Sequence, residues 1–136
     1  MTSSAGAPRA IVAGHGDFAR GIISAVQQIS GRGELFAAVS NASLSADALE
    51  ETIGRAVAAV NARVIFTDLP AGSCTIAARR VAGERPRLAV VTGANLPMLL
   101  EFALKGEVDA AAIDRAVEKG CAAMRGFHAV EVRGVD

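Results

Sequence analysis

At 136 residues, 51% of them hydrophobic, the chain is long enough for one domain with a real core, yet no apolar run approaches the roughly 18 residues that crossing a bilayer takes. Its formal charge is zero, with 14 basic residues against 14 acidic, and aromatics are 4% with no Trp or Tyr. A nucleic-acid binder is excluded by that balance, which lacks both the electrostatic footprint and the stacking residues.

Residues 1–8 are small and polar, without the basic start and apolar core of a signal peptide, and are expected to be a loose tail on a soluble, cytoplasmic protein. Residues 10–13 form a short apolar run that stops at Gly14-His15-Gly16. Helical spacing begins at once, with Phe18, Ile22, Val26 and Ile29 at intervals of four, four and three. This reads as a buried strand, a tight turn and an amphipathic helix, the opening of a βαβ unit. His15 then sits at the carboxyl end of the strand, where open α/β sheets keep their functional groups, between glycines that permit unusual backbone angles and a close approach to the imidazole.

Gly31-Arg32-Gly33 breaks the pattern, and residues 34–39 are expected to form a second strand. After the turn at residues 40–43, Ser45 or Asp47 can cap a helix whose buried face is Leu49, Ile53, Val57 and Val60. Residues 63–67 predict a third strand ending at Asp68, and the loop through Gly72 and Ser73 leads to a helix over 74–82. Residues 88–92 predict a fourth strand. Gly93-Ala94-Asn95-Leu96-Pro97 opens a fourth helix, with Pro97 near its first position, where a missing N–H costs little. A fifth helix is expected over 109–124, with Ile113, Val117, Cys121 and Met124 on its buried side. Residues 127–133 alternate at period two, as an edge strand does. The runs 10–13, 64–66 and 88–91 are continuously apolar, as strands covered on both faces are.

This alternation predicts a three-layer α/β domain: a doubly wound, mostly parallel sheet in the flavodoxin-like order 2-1-3-4, with an antiparallel C-terminal edge strand. The expected division is a tail at 1–8, a domain at 9–126 and a C-terminal strand and tail at 127–136. In that order strands 1 and 3 are neighbours at the topological switch point, so His15 and Asp68 face each other across one crevice.

A carboxylate that accepts a hydrogen bond from one imidazole nitrogen fixes the tautomer and leaves the other as a free lone pair, available as base, metal ligand or nucleophile. Beyond Asp68, the helix start at Gly72 and Ser73 offers unpaired N–H groups and a hydroxyl, a natural cradle for a phosphoryl group. Together these point to phosphoryl transfer through a phosphohistidine. The competing readings are plainer. His15 between glycines also fits a turn residue, and Asp68 a helix approach. Residues 14–19 match the dinucleotide pattern G-x-G-x-x-G/A, but Asn41 stands where that fingerprint needs an acid. His128 reads as structural or exposed and Arg79-Arg80 as a solvated face. Cys74 at a helix start is either a thiol with lowered pKa or a small packed residue. Cys74 and Cys121 match no CxxC or zinc spacing, so both are expected as free thiols in a reducing compartment, with no metal site.

From about residue 10 to 124 the chain resembles the IIA component of the mannose family in the bacterial phosphoenolpyruvate-dependent sugar phosphotransferase system. The marks are Ile11-Val12-Ala13-Gly14-His15-Gly16, then Phe66-Thr67-Asp68 with Gly72-Ser73, then Gly93-Ala94-Asn95-Leu96-Pro97-Met98-Leu99. The resemblance implies that His15 is phosphorylated by the carrier protein HPr and passes the group to a IIB component that serves membrane IIC and IID components. It implies that Asp68 hydrogen-bonds the imidazole, that Ser73, with Gly72 and Gly16 beside it, holds phosphoryl oxygens, and that no cofactor is needed because the phosphoryl group arrives on HPr. It also implies a homodimer in which the C-terminal strand can cross to the partner, and a IIA separate from any IIB domain. Ala71-Gly72-Ser73-Cys74 departs from the family's Gly-Gly-Ser/Thr-Pro, and Leu69-Pro70 makes the loop stiffer and more apolar than usual. Two related readings are a regulatory module whose phosphorylation state is read by a partner, and the phosphocarrier subunit of a dihydroxyacetone kinase; the Asn95-Leu96-Pro97-Met98 turn favours the sugar system over the kinase.

Overall fold

The computed structural model describes residues 9–128. In chain order it holds β1 (Ala10–Gly14), α1 (Phe18–Ser30), a 3-10 turn (Gly33–Leu35), β2 (Phe36–Ser40), α2 (Ala46–Val60), β3 (Val64–Thr67), α3 (Ser73–Ala82), β4 (Ala89–Val91), α4 (Leu96–Lys105) and α5 (Ala110–Ala122). The four strands form one parallel sheet in the order β2-β1-β3-β4, as the alternation of elements predicts. Ala13 pairs with Val39 on one side and Thr67 on the other, and Gly14 pairs with Ser40, so the carboxyl ends of β2, β1 and β3 finish level.

Successive residues of a strand point to opposite faces, and each face has its own core. Ala10, Val12, Val64 and Phe66 pack with α1, α4 and α5, whereas Ile11, Ala13 and Ile65 pack with α2 and α3. On the first face Phe36, Phe66 and Phe102 meet with ring centroids 5.3 to 6.3 Å apart. Phe66 and Phe102 are essentially fully buried. Each contributes about 2–3 kcal/mol by burial alone. The tilted and edge-to-face geometries are those aromatic quadrupoles prefer.

Four expectations are corrected. Glu34 and Leu35 belong to the 3-10 turn, so β2 begins at Phe36 and not at residue 34. The fourth strand is three residues long and only half-buried throughout, because it is the edge of the described sheet and is not covered as β1 and β3 are. Ile29 follows the last buried residue of α1, Val26, and is 61% exposed. On α5 the buried stripe is Ala112, Ala116 and Gly120, while Cys121 and Met124 are exposed. Helices α4 and α5 approach too closely for larger residues: a Cβ on Gly120 would lie 3.0 Å from Asn95 Oδ1 and from Met98 Cβ. Small size, not hydrophobicity, therefore selects the contact face.

The N-terminal tail and all but the first two residues of the 127–136 segment lie outside the described residues. Phe127 and His128 are exposed and in no strand. No described helix is long and apolar enough to cross a membrane.

Candidate functional site

The turn after β1 is shaped by its glycines in different ways. Gly16 takes φ +55, a left-handed conformation that side chains disfavour, and reverses the chain into α1. At Gly14 the constraint is space, since a Cβ would lie 2.6 Å from Phe18 Cδ2. The residue that lets a group come close to the imidazole is neither of these but Gly72, whose missing Cβ would lie 3.0 Å from His15 Cε1.

Because β1 and β3 are adjacent and level, His15 and Asp68 meet. Asp68 Oδ2 accepts two hydrogen bonds from the same residue, from the His15 backbone N–H at 2.9 Å and from ring Nδ1 at 2.8 Å. A carboxylate only accepts, so Nδ1 carries the proton and Nε2 of the neutral ring keeps its lone pair. Burial pushes the Asp68 carboxyl up, but the hydrogen bonds from the His15 ring and backbone pull it down further, and its pKa ends below the ordinary carboxylate value. The His15 side chain is 45% exposed and that of Asp68 11%, so the base is reachable and its orienter is not.

Since Cε1 rests on Gly72, the neighbouring Nε2 lies beside the start of α3. That start is open. Gly72 supplies no capping side chain, and the first N–H to return to the cap is that of Ile76, which leaves the N–H groups of Ser73, Cys74 and Thr75 without intrahelical partners. The loop carrying Asp68 to Gly72 is pinned from beneath by buried hydroxyls: Thr75 donates to the Leu69 carbonyl, and Thr67 to Thr75 at 2.6 Å. Neither threonine was singled out for this role by sequence.

Cys74 is fully buried at this helix start. Burial, aided by the charge of Asp68, raises its thiol to about 11, which overturns the alternative of an acidified nucleophile. His128 is exposed, and Arg80 makes a 3.7 Å surface ion pair with Glu50. Among the described residues no three His, Cys, Asp or Glu side chains are grouped to hold a metal.

One residue that sequence reading set aside reaches the same place. Asn41, at the end of β2, accepts from the Gly16 N–H at 3.4 Å and extends its amide nitrogen to 3.5 Å from Ser73 Oγ. Its neighbour Ser40 donates to the Gly16 carbonyl at 2.8 Å. Hence His15, Gly16, Asp68, Gly72 and Ser73 come together, with Asn41 between the two loops. Concavities of about 460 Å³, lined by Arg63, Arg85 and Arg87 among others, and of about 340 Å³, lined by Asp47, Glu50 and Glu51 among others, do not include His15.

The fold is similar to that of the phosphotransferase system component EIIA from Streptococcus agalactiae, at 22% identity over 88% of this chain and 96% of that one, with a TM-score of 0.77. It is similar to the mannose/sorbose specific IIA subunit of the phosphotransferase system from Enterococcus faecalis, at 23% identity over 90% and 96%, TM-score 0.76. A PTS IIA protein associated with the fucose utilization operon from Streptococcus pneumoniae shares 19% identity over 88% and 93%, TM-score 0.75. Residues 9–119 match the sequence profile of the EIIA-man family, described as the PTS system fructose IIA component. That match takes in every described strand and the strand-end turns, and the chain belongs to the EIIA-man family.

Proposed function

We propose that the chain is a phosphoryl carrier that accepts a phosphoryl group from phospho-HPr on Nε2 of His15 and hands it to a IIB component of a sugar phosphotransferase system. The observation that carries this is the double hydrogen bond to Asp68, which places the proton of the neutral ring on Nδ1 and leaves Nε2 as the nitrogen free to act on a partly exposed ring beside an open helix start. In the forward step the Nε2 lone pair forms a bond to phosphorus as the donor's bond to phosphorus breaks, and the donor leaves with that electron pair. Positive charge develops on the His15 ring, and Asp68 stabilises it through Nδ1–H. The phosphoryl oxygens are received by the N–H groups of α3 and the Ser73 hydroxyl, with the Gly16 turn alongside. Handing the group to IIB reverses these events. An imidazole with 45% of its side chain exposed is open to exchange between proteins.

The test is incubation with phosphoenolpyruvate and the general phosphotransfer proteins, followed by mass-spectrometric mapping of the acid-labile adduct. Label is expected at His15 and is abolished in His15→Ala. Label at His128, or none, overturns the reading; label at His15 that no IIB component accepts favours the regulatory alternative. The homodimer belongs to the same reading. Truncation after Gly126 is expected to give a monomer or an aggregating protein in size-exclusion chromatography with light scattering, whereas an intact dimer places the interface elsewhere.

A further inference from the structure

We infer that Asn41 is a positioning residue for transfer at His15, orienting the Ser73 hydroxyl so that its proton faces the phosphoryl group. The inference rests on the carrier reading above and adds a residue from a third strand to it. Its basis is the direction of two contacts. The Gly16 N–H can only donate, so the Asn41 atom 3.4 Å from it is the amide oxygen. The amide nitrogen is thereby turned the other way, to 3.5 Å from Ser73 Oγ. An amide N–H donates, so Ser73 accepts there, and the single hydroxyl proton is directed away from Asn41. The unpaired N–H groups of α3 begin at Ser73 itself, so an anion held by them lies within reach of that proton.

Asn41 is held where this requires. Its backbone N–H donates to the Gly14 carbonyl at 3.2 Å, its carbonyl accepts from Leu44 at 3.1 Å, and Ser40 ties the same turn at 2.8 Å. Its side-chain contacts, by contrast, are at the long limit for hydrogen bonds, as catalytic contacts often are before the reacting group arrives. A firm backbone with a loosely engaged amide is what a group needs if it is to tighten when negative charge enters between Gly16 and Ser73.

Two substitutions separate this role from a purely structural one. Asn41→Ala removes both contacts. Asn41→Asp is nearly isosteric and keeps an oxygen for the Gly16 N–H, so it preserves any role in shaping the turn. Its second oxygen, however, draws the Ser73 proton toward itself and places negative charge beside the phosphoryl group. With phospho-HPr at saturation and neutral pH, the transfer rate is expected to fall about tenfold in Asn41→Ala, the loss of one hydrogen bond to a charged group. It is expected to fall further, about a hundredfold, in Asn41→Asp, with KM within about threefold of wild type in both. In a Ser73→Ala background, adding Asn41→Ala is expected to cost less than about twofold, since the two residues act as a unit. Transfer by Asn41→Asp at or above the rate of Asn41→Ala overturns the inference, as does an undiminished effect of Asn41→Ala without Ser73. Wild-type protein that takes no label at His15 overturns the carrier reading itself, a result distinct from these.

Discussion

The turns after β3 and β4 leave the same end of one sheet, and they dispose of their polar groups in opposite ways. After β4, Asn95 caps α4 by accepting from the Met98 N–H at 3.0 Å, donates from its amide nitrogen to the Gly120 carbonyl of α5 at 3.0 Å, and is followed by Pro97, which has no N–H to satisfy. After β3, the cap is Gly72, no side chain closes the helix, and the imidazole of His15 rests against that glycine. The first turn spends its hydrogen-bonding capacity inside the protein and becomes a joint between helices. The second withholds it. Asn95, in the segment at residues 93–99 that carries the most specific mark of the resemblance, is thus tied into the structure, and the proposed chemistry falls on the other loop.

The comparison can be broken most severely at Asp68. Asp68→Asn supplies no charge to the ring and can select the other tautomer, so transfer from HPr is expected to fall about a hundredfold with little change in HPr affinity. This is less than the roughly ten-thousandfold cost of the same change in a serine-protease triad, because imidazole is already a competent nucleophile. Transfer near wild type reduces Asp68 to a turn residue. Because the Asp68 pKa lies below its ordinary value, the stability it lends is complete above that value and is lost as pH falls through the lower, folded-state pKa. An acid-side fall of Tm that is larger in wild type than in the variant checks the sign.

At the closed turn the expectation reverses. Asn95→Ala removes a cap and leaves the Gly120 carbonyl short of a partner, so urea unfolding is expected to show a loss of about 1–3 kcal/mol while labelling of His15 proceeds normally. A stable variant with impaired labelling would put the two turns in one functional unit and sink the contrast. The smallest effect concerns the two thiols. Cys121 is exposed and Cys74 buried with its pKa at about 11, so iodoacetamide at pH 8 is expected to modify Cys121 alone in the folded protein. The raised pKa also means that Cys74 contributes stability that is complete below about 9 and is lost as pH rises toward about 11.

The fold was legible where local and global signals agree. A buried apolar run, a glycine turn and 3.6-residue spacing define β1 and α1, and four such alternations allow few sheet orders. From that order alone, Asp68 falls beside His15, because neighbouring parallel strands end together at Ala13 and Thr67. Asn41 was not legible as part of the site. Its contacts depend on the level ending of β2, through the pairing of Gly14 with Ser40, and β1, buried on both faces, carries no alternation from which that register can be read. The face of α5 was misread for a related reason. Hydrophobic spacing marks Ile113, Val117 and Cys121; Ile113 does pack against the core, but the buried stripe is Ala112, Ala116 and Gly120, Cys121 is exposed, and interhelical distance has no signature in a single sequence.

The two hydrogen bonds from His15 to one oxygen of Asp68 close a ring through the residue's own Cα and Cβ; the backbone bond holds that oxygen in place, and the imidazole cannot swing without breaking the bond from Nδ1. A carrier built this way has a single line of attack, the axis of the Nε2 lone pair, and donor and acceptor must each come along it. The two cannot be seated together. On the proposed reading, turnover is expected to take ping-pong form, with an excess of the unphosphorylated acceptor slowing the charging step by occupying the approach that the donor needs.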